Sequence, residues 1–328
     1  MKFLPSLLAL SASLTPTLAL PQPPSTLAAR ACTNPKVRKE WSKATAAERS
    51  SYISAVKCLT TKPSKLGKNH RLFDDFVYLH FTVFQHVHGV AAFLPWHRYL
   101  IVLYERELQA CGYNGNAMYW DWVADSAAPS KAAVFDPVTG FGGNGTAEPS
   151  NDDWVTTYCV KNGPFSNLQL KYWNADDRPH CLQRFFALGY PAGPDIPEPV
   201  AEMLGDNYSP AIMAQINAEN VFSDFGHGLE NEPHAAVHLG VGGLAGDMGP
   251  QSSSPNDPLF FLHHTQVDRL WWLWQQQNPS KRTMEYNGMR FDGSAATLDD
   301  LLPVLGLGAD LPVRDFMDVS TDNLCYKY

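Results

Sequence analysis

Apolar residues recur at the spacing of one helical face in several stretches of this chain. Two of these stretches cover residues 73–87 and 99–108, and residues 34–62 follow the same spacing. A further stretch, residues 258–276, is apolar nearly all round, so we expect that helix to be buried. The pattern therefore predicts a mainly α protein whose core is built from helices.

The remaining segments have no long helical pattern. Residues 123–229 are rich in Gly, Pro and Asn, which predicts long loops with short helices. After Asn278 only short apolar fragments follow, and these indicate a few short strands or turns. The sequence shows no interior linker or repeat, so we expect a single domain over residues 32–328.

The first 31 residues differ from the rest of the chain. Lys2 precedes an apolar stretch that leads to small residues, which predicts a secretory signal over residues 1–19. This stretch is short and interrupted by prolines, so it does not suit a membrane span. Residues 20–31 are interpreted as a leader or short pro-segment. The protein is therefore expected to be secreted.

Secretion makes the six cysteines a candidate disulfide set. Cys159 with Cys181 and Cys32 with Cys325 are plausible pairs, although six cysteines allow many pairings. Zinc binding by these cysteines is the alternative, and no CxxC spacing supports it. The net charge of −8 argues against nucleic acid and against an anionic membrane as partners.

Two histidines share one face of a predicted helical turn. Pro233 suits the first position of a helix, and His234 and His238 follow it four residues apart. Imidazoles so placed can share a metal ion, although an isolated pair is equally compatible with two surface histidines. A zinc protease needs a glutamate after the first histidine as general base, and Ala235 occupies that position. Hydrolysis by that mechanism is therefore not favoured.

Two adjacent histidines, His263 and His264, fall inside the buried helix predicted over residues 258–276. Burying two imidazoles is costly unless each has a partner. A metal ion for one and a hydrogen bond for the other would supply these partners. Asp268 lies four residues after His264 on the same face, and we expect its carboxylate to orient that imidazole.

A second group of histidines lies in the first half of the chain. On one straight helix His80 and His88 would be about 12 Å apart, which is too far to share a metal. The helix over residues 73–87 must therefore end near His88, which reaches back from a loop. Imidazoles suit copper better than magnesium or calcium. The pattern predicts two three-histidine sites, formed by His80, His88 and His97 and by His234, His238 and His264.

These motifs together resemble the coupled binuclear copper family, which comprises tyrosinases, catechol oxidases, o-aminophenol oxidases and haemocyanins. The resemblance spans residues 32–328 and is closest to short secreted fungal members. It is carried by His80, His88-Gly89, residues 93–98, residues 119–122, residues 233–238, residues 256–264, Asp268, Arg269, Trp271 and the ending Tyr326-Lys327-Tyr328. It implies a four-helix-bundle core holding two copper ions, with O₂ as co-substrate.

The resemblance also assigns roles to single residues. It implies that His80, His88 and His97 bind copper A. It implies that His234, His238 and His264 bind copper B, with His263 behind them. Glu230 matches a glutamate that holds a water near copper B, and it is the expected catalytic residue. We expect Phe260 to pack over the site, and Leu239 and Met248 to lie at the cavity wall.

Two departures from the family pattern bear on the chemistry. Good monophenol hydroxylases commonly have an asparagine where this chain has Ala235, so o-diphenol or o-aminophenol oxidation is favoured over tyrosine hydroxylation. Many members link a cysteine to the histidine matching His88. His86 stands where the long fungal enzymes place that cysteine, so we expect no thioether.

We therefore predict a secreted copper oxidase that converts small o-diphenols, and o-aminophenols, to o-quinones with O₂. A true tyrosinase, a haemocyanin-like oxygen-binding protein with a blocked cavity and a non-catalytic secreted protein are the alternatives. Asn144 and Asn207 begin glycosylation sequons. The oligomeric state does not follow from the sequence.

Overall fold

The computed structural model describes residues 32–149, 156–188, 202–203 and 205–328. The predicted signal sequence (residues 1–19) and leader (residues 20–31) lie outside these residues. The described residues are mainly helical, as predicted, and their helices are α1 (Ala46–Leu59), α2 (Leu72–Val87), α3 (Phe93–Ala110), α4 (Pro210–Asn217), α5 (Phe222–Leu229), α6 (Ala235–Gly242), α7 (Leu259–Gln277) and α8 (Pro279–Arg282). None of the helices in the described ranges is long and apolar enough to cross a membrane.

Helix α2 ends where the distance argument requires. Its last residue is Val87, and His88 has extended backbone angles of φ −126° and ψ 143°. Gly89 follows with φ +65°, a left-handed conformation that favours glycine. This break leads the chain into α3 and leaves His88 beside the end of α2. The predicted helix end at His88 is confirmed.

The helical turn around Pro233 differs from the prediction. Helix α5 continues through a π-helical turn, Glu230–His234, directly into α6. Pro233 therefore lies inside a continuous helix rather than at its first position. The wider π turn accommodates a proline ring that would clash with the preceding turn of a regular α-helix. Such turns are frequent at functional sites, and this one carries His234.

The helix predicted over residues 34–62 is shorter than expected. Strand β1 (Lys36–Val37) and a 3₁₀ turn (Trp41–Lys43) precede α1. The Thr45 side chain accepts the Glu48 N–H at 3.2 Å, and the Glu48 carboxylate accepts the Thr45 N–H at 2.9 Å. This reciprocal capping box sets the start of α1.

Short strands surround the helices, as predicted. In the described parts of the chain they pair as four two-stranded sheets. Strand β1 pairs in parallel with β8 (Tyr326–Lys327). The antiparallel pairs are β2 (Gly145–Pro149) with β3 (Thr156–Val160), β4 (Gln169–Trp173) with β5 (Asp176–Cys181), and β6 (Leu301–Leu302) with β7 (Leu311–Pro312).

Three disulfides use all six cysteines of the chain. Both pairs considered from the sequence, Cys32–Cys325 and Cys159–Cys181, are present. The third, Cys58–Cys111, joins α1 to the end of α3. The disulfides therefore link segments that are distant in sequence around the helical core.

Four helical units surround the centre of the molecule: α2, α3, α7 and the continuous α5–α6 unit. Helix α3 packs along α7, and α2 packs against α3. The α5–α6 unit meets α7 through the stacked rings of Phe225 and Trp274, whose centroids are 4.9 Å apart. This arrangement confirms the predicted four-helix core.

The carboxylate of Asp268 joins α7 to other segments of the protein and does not contact a histidine among the described residues. It accepts hydrogen bonds from Arg38 Nη1 at 3.0 Å and from the Tyr326 hydroxyl at 2.6 Å, and Arg98 Nε also donates to it. The prediction that Asp268 orients His264 is therefore wrong. Two buried guanidinium groups are stronger partners for a buried carboxylate than a neutral imidazole.

Candidate metal centre

The three histidines from the first half of the chain come together. His80 projects from α2, His88 follows the end of that helix, and His97 lies on α3. Each offers one ring nitrogen, and these nitrogens lie within 4.8 Å of one another. The three imidazoles can therefore hold one metal ion.

A second group of histidines comes from the π turn, α6 and α7. Ring nitrogens of His234, His238, His263 and His264 lie within 4.8 Å of one another. His234 and His238 share one helical face, and their Nε2 atoms are 3.1 Å apart. This group contains the three predicted residues and His263 as a fourth.

The two groups of histidines face each other directly. The rings of His97 and His264 stack, with centroids 4.3 Å apart and planes 12° apart. The centroids of the His88 and His234 rings are 6.5 Å apart. Metal ions in the two groups would therefore be neighbours rather than occupants of independent sites.

Main-chain carbonyls that lie nearby in sequence fix the orientation of three histidines. His88, His97 and His234 each point Nδ1 at the carbonyl oxygen four residues earlier, at 3.2, 2.8 and 2.9 Å. A carbonyl oxygen only accepts hydrogen bonds, so Nδ1 carries the proton. This tautomer leaves Nε2 free to bind a metal.

Two further histidines use carbonyls from a separate segment. His80 Nδ1 lies 2.8 Å from the Ser252 carbonyl oxygen, and His238 Nδ1 lies 2.9 Å from that of Met248. His264 differs, because neither of its ring nitrogens has a hydrogen-bond partner among the described residues. Five of the six predicted ligands are thus held in the tautomer that presents Nε2.

Burial keeps these imidazoles neutral. It lowers the pKa of His80 to about 3 and the pKa of His238 to about 4. Burial and neighbouring imidazoles also lower the pKa well below the usual histidine value in four further residues, His88, His97, His234 and His264. The neutral form is the one that coordinates metal ions.

The unpartnered ring nitrogens show that the residues suit a metal. Within the described ranges, Nε2 of His80, Nε2 of His97 and both ring nitrogens of His264 are buried without a hydrogen-bond partner. Buried polar atoms normally have one, so a bound metal would satisfy them. An all-imidazole set of donors suits copper, whereas magnesium and calcium prefer oxygen ligands.

Two phenylalanine rings pack against both groups. Phe260 is fully buried, and its ring centroid lies 5.3 Å from that of His80 and 4.2 Å from that of His264. The Phe93 centroid lies 4.9 Å from the centroids of both His97 and His234. Phe260 therefore occupies the position expected from the sequence, and Phe93 is a contact that the sequence argument missed.

His263 is the additional member of the second group. Its ring stacks on that of His234, with centroids 5.1 Å apart and planes 20° apart, and its centroid lies 6.0 Å from that of Trp122. Neither of its ring nitrogens has a hydrogen-bond partner in the part of the chain that is described. The geometry thus brings both members of the His263–His264 pair to the centre.

A cavity of about 240 Å³ opens beside the second group. It is lined by His234, Ala235, His238, Leu239, Gly243, Leu244, Gly249, Pro250 and Gln251. Ala235 and Leu239 therefore lie at its wall. Met248 does not line this cavity, so that expectation is wrong. Its carbonyl is directed at His238, and its side chain is fully buried in the hydrophobic core.

A second cavity, of about 340 Å³, lies beside Glu230 and is also lined by Gly89, Phe93 and Met289. Glu230 Oε1 accepts the Gly89 N–H at 2.9 Å. Burial raises the pKa of Glu230 to about 7, although this hydrogen bond acts in the opposite direction. A carboxyl group with that pKa can exchange protons near neutral pH.

The remaining predictions concern side chains around the centre. The six cysteines are all in disulfides, which confirms that His88 has no thioether partner. His86 is exposed and its ring centroid lies 5.1 Å from that of Phe291. Asn144 accepts the Phe186 N–H at 2.9 Å, and Asn207 lies in a partly exposed 3₁₀ turn. Glycosylation of either asparagine stays a prediction.

Comparison with known families agrees with this geometry. The model of the common central domain of tyrosinase matches residues 70–277. This range is more than half of the chain and contains every histidine of both groups. The chain belongs to the tyrosinase family. Tyrosinase-family proteins bind two copper ions and use O₂, and this member is accordingly a copper oxidase.

Individual tyrosinase-family relatives resemble most of the chain. Tyrosinase ustQ of Aspergillus flavus is 38% identical over 301 residues, which cover 90% of this chain and 80% of that protein. Tyrosinase-like protein phomQ2 of Diaporthe leptostromiformis is 36% identical over 302 residues, with coverages of 90% and 74%. The structure of a mutant polyphenol oxidase from Thermothelomyces thermophila shares the fold, with a TM-score of 0.72, 24% identity and coverages of 89% and 88%.

Sequence reasoning missed one class of residue in this tyrosinase-family site. Ser252 and Met248 orient His80 and His238 through backbone carbonyls. A carbonyl is present at every residue, so no side-chain signal marks these two positions. The other three acceptors are local, because each lies four residues before its histidine, whereas His80 and His238 are helical histidines that do not use that carbonyl.

Proposed function

We propose that this protein oxidises o-diphenols to o-quinones, and o-aminophenols to the corresponding o-quinone imines, with O₂. The observation that carries the proposal is the wall of the 240 Å³ cavity at Ala235. The side chain beside His234 is a methyl group, so this position supplies no amide that could hold a water or help to deprotonate a monophenol. An o-diphenol already has both hydroxyl groups and needs only to lose electrons and protons.

We assign His80, His88 and His97 to copper A and His234, His238 and His264 to copper B. The unpartnered Nε2 atoms and the fixed tautomers support this assignment. The choice of His264 over His263 is supported by its ring stack with His97, which belongs to the other group. When bound, the two copper ions supply the binding and reduction of O₂.

The protein's own residues would bind the phenol and handle its protons. Each diphenol loses two electrons and two protons, and two diphenols reduce one O₂ to two waters. Leu239 and the His238 ring form an apolar and aromatic wall against which a phenol ring can stack. Glu230 is the proposed proton acceptor, since its buried carboxyl group lines the separate cavity of about 340 Å³ and the residue precedes His234 by four positions.

The open cavity favours turnover over oxygen storage. A haemocyanin-like protein would use the same coppers behind a blocked entrance. Here Gly249 and Pro250 line the cavity beside His238, and neither has a bulky side chain that would fill it. A small phenolic substrate is therefore the ligand that this space suits.

We also propose that the protein is secreted and that residues 32–328 form one catalytic domain. The three disulfides support secretion, because disulfides persist in oxidising compartments. One hydrophobic cluster contains residues from Trp41 to Met317, which supports a single domain. Detection of the mature protein in culture medium tests the first statement.

Oxygen uptake by the copper-loaded protein tests the reaction. Catechol, 2-aminophenol and tyrosine are compared at equal concentration, with the copper-free protein as control. We expect rapid uptake with catechol and 2-aminophenol, slow uptake with tyrosine, and none without copper. Equally fast uptake with tyrosine would make the protein a tyrosinase. No uptake from any phenol, with two coppers bound, would favour the oxygen-binding alternative.

A further inference from the structure

One loop supplies the carbonyl acceptors for a histidine of each group. Ser252 O accepts from His80 Nδ1 at 2.8 Å, and Met248 O accepts from His238 Nδ1 at 2.9 Å. Both residues belong to the segment 243–257, which joins α6 to α7 and which we term the acceptor loop. The other oriented histidines use the carbonyl four residues earlier in the chain. Through these two carbonyls the acceptor loop contacts one histidine of each group. It does so at Nδ1, the ring nitrogen that is not presented to the metal.

A buried carboxylate near the start of the acceptor loop fastens this loop to the rest of the protein. Asp247 is fully buried, and its Oδ1 accepts hydrogen bonds from His180 Nε2 at 2.8 Å and from Asn256 Nδ2 at 3.1 Å. Its Oδ2 accepts the Gln183 N–H at 2.7 Å, and its own N–H donates to the Gln183 carbonyl at 2.9 Å. Asp247 thus joins the loop to strand β5 and the residues just after it.

The loop has little room to adjust around this anchor. A Cβ atom at Gly249 would meet the Gly243 carbonyl oxygen at 2.1 Å, and one at Gly242 would meet the Gly249 nitrogen at 2.0 Å. At the far end of the loop, Asp257 receives two hydrogen bonds from Arg184, at 2.7 and 2.9 Å. A displacement at Asp247 would therefore be passed along the backbone to Met248 and Ser252.

We propose that Asp247 is a positioning residue for both copper sites. It holds the acceptor loop so that the Met248 and Ser252 carbonyls keep His238 and His80 in their metal-binding tautomer and orientation. This inference rests on the ligand assignment in the proposed function. Residues that orient ligand imidazoles typically affect metal affinity by about 10–100-fold. A substitution of Asp247 should therefore weaken the binding of both copper A and copper B.

The substitution Asp247→Asn tests this with a small change in shape. The amide nitrogen of asparagine meets a donor in either orientation, because the Gln183 N–H faces Oδ2 and the Asn256 amide N–H faces Oδ1. The matched control is Asp75→Asn. Asp75 is also fully buried, accepts from His70 at 2.5 Å and accepts a main-chain N–H, that of Lys65, at 2.6 Å. Its partners Ser64, Lys65 and His70 lie just before α2 and not on the acceptor loop.

Two measurements separate positioning from a general loss of stability. The first is the rate of copper release into excess chelator, followed for both ions. The second is the difference in Tm between copper-loaded and copper-free protein. Both variants should lower the Tm of the copper-free protein. Only Asp247→Asn should accelerate release of both coppers, by about tenfold or more, and reduce the Tm difference.

Equal release rates in wild type, Asp247→Asn and Asp75→Asn would overturn the proposal, and so would faster release of only one copper. If Asp247→Asn does not fold, His180→Ala removes one of the hydrogen bonds to Asp247 and should show a smaller change in the same direction. Unchanged release in that variant would then count against the proposal. Absence of copper from the wild type would instead refute the proposed function.

Discussion

The histidines of the metal centre are fixed in two different ways. His88, His97 and His234 donate to the carbonyl four residues earlier in the chain, whereas His80 and His238 donate to the acceptor loop. In the first class the histidine and its acceptor belong to one short stretch of backbone, so their geometry survives wherever that stretch folds. The loop depends on contacts with residues far away in sequence. A substitution outside the metal centre should therefore displace His80 and His238 more readily than the other three histidines.

The largest effect is expected at His264, which belongs to neither class. His264→Gln removes a proposed copper B ligand and should lower diphenol turnover by more than about a thousandfold, equivalent to about 4 kcal/mol. His263→Gln is the matched control, because the two side chains are adjacent and buried. Copper content and oxygen uptake are measured for both. Loss of copper from His263→Gln but not from His264→Gln would show that His263, rather than His264, is the copper B ligand.

A substitution at Asp268 tests the buried ion pairs that support the helices of both classes. Burial alone would raise the pKa of Asp268, but the charges of Arg98 and Arg38 hold it below the usual aspartate range. Asp268→Asn removes the charge partner of Arg98 and leaves Arg38 paired with Glu105 alone, so we expect a loss of about 3–5 kcal/mol of unfolding free energy at pH 7.

The pH dependence of that loss provides its check. A depressed folded-state pKa contributes stability above the unfolded value of about 4, and this contribution disappears as pH falls toward the folded-state pKa. The difference between wild type and Asp268→Asn should therefore narrow below about pH 4. Urea unfolding at several pH values measures it. A constant difference would show that charge pairing is not its source.

The acceptor loop itself is tested by Gly249→Ala. The added Cβ would meet the Gly243 carbonyl oxygen at 2.1 Å, so the loop must move. We expect copper release to accelerate by about tenfold. Gly228→Ala, on α5, is the control because its Cβ would meet only Ile216 at an ordinary 3.5 Å. Similar release rates in the two variants would remove the distinction between loop-fixed and helix-fixed histidines.

The smallest effect is expected at the cavity wall. Ala235→Asn introduces an amide beside His234 without touching either class of acceptor. We expect oxygen uptake with tyrosine to rise by about tenfold relative to catechol, equivalent to about 1.4 kcal/mol of activation free energy. Copper content should not change. An unaltered ratio of the two rates would show that Ala235 does not determine substrate choice.

Local patterns in the sequence were sufficient for one part of this structure. Helical spacing placed His234 and His238 on one face, and the length of a helix required α2 to end at His88. Long-range partners were not predictable in the same way. Asp268 pairs with Arg38, 230 residues away, because burial favours the strongest available charge partner. That choice depends on the assembled core rather than on spacing.

The turn at Pro233 shows a different limit. Proline usually begins a helix, so the sequence predicted a helix start there. The π turn removes the steric conflict and lets one helix run from Phe222 to Gly242. The acceptors Met248 and Ser252 show a third limit, because backbone carbonyls have no sequence signature. The ligand types were therefore predictable, whereas the groups that orient two of them were not.

The most direct test of the account is an anomalous diffraction map of copper-loaded crystals, recorded at the copper absorption edge. We predict two peaks for each chain. One should be bound by Nε2 of His80, His88 and His97, and the other by Nε2 of His234, His238 and His264. A single peak, or a second peak bound by His263 instead of His264, would contradict the assignment.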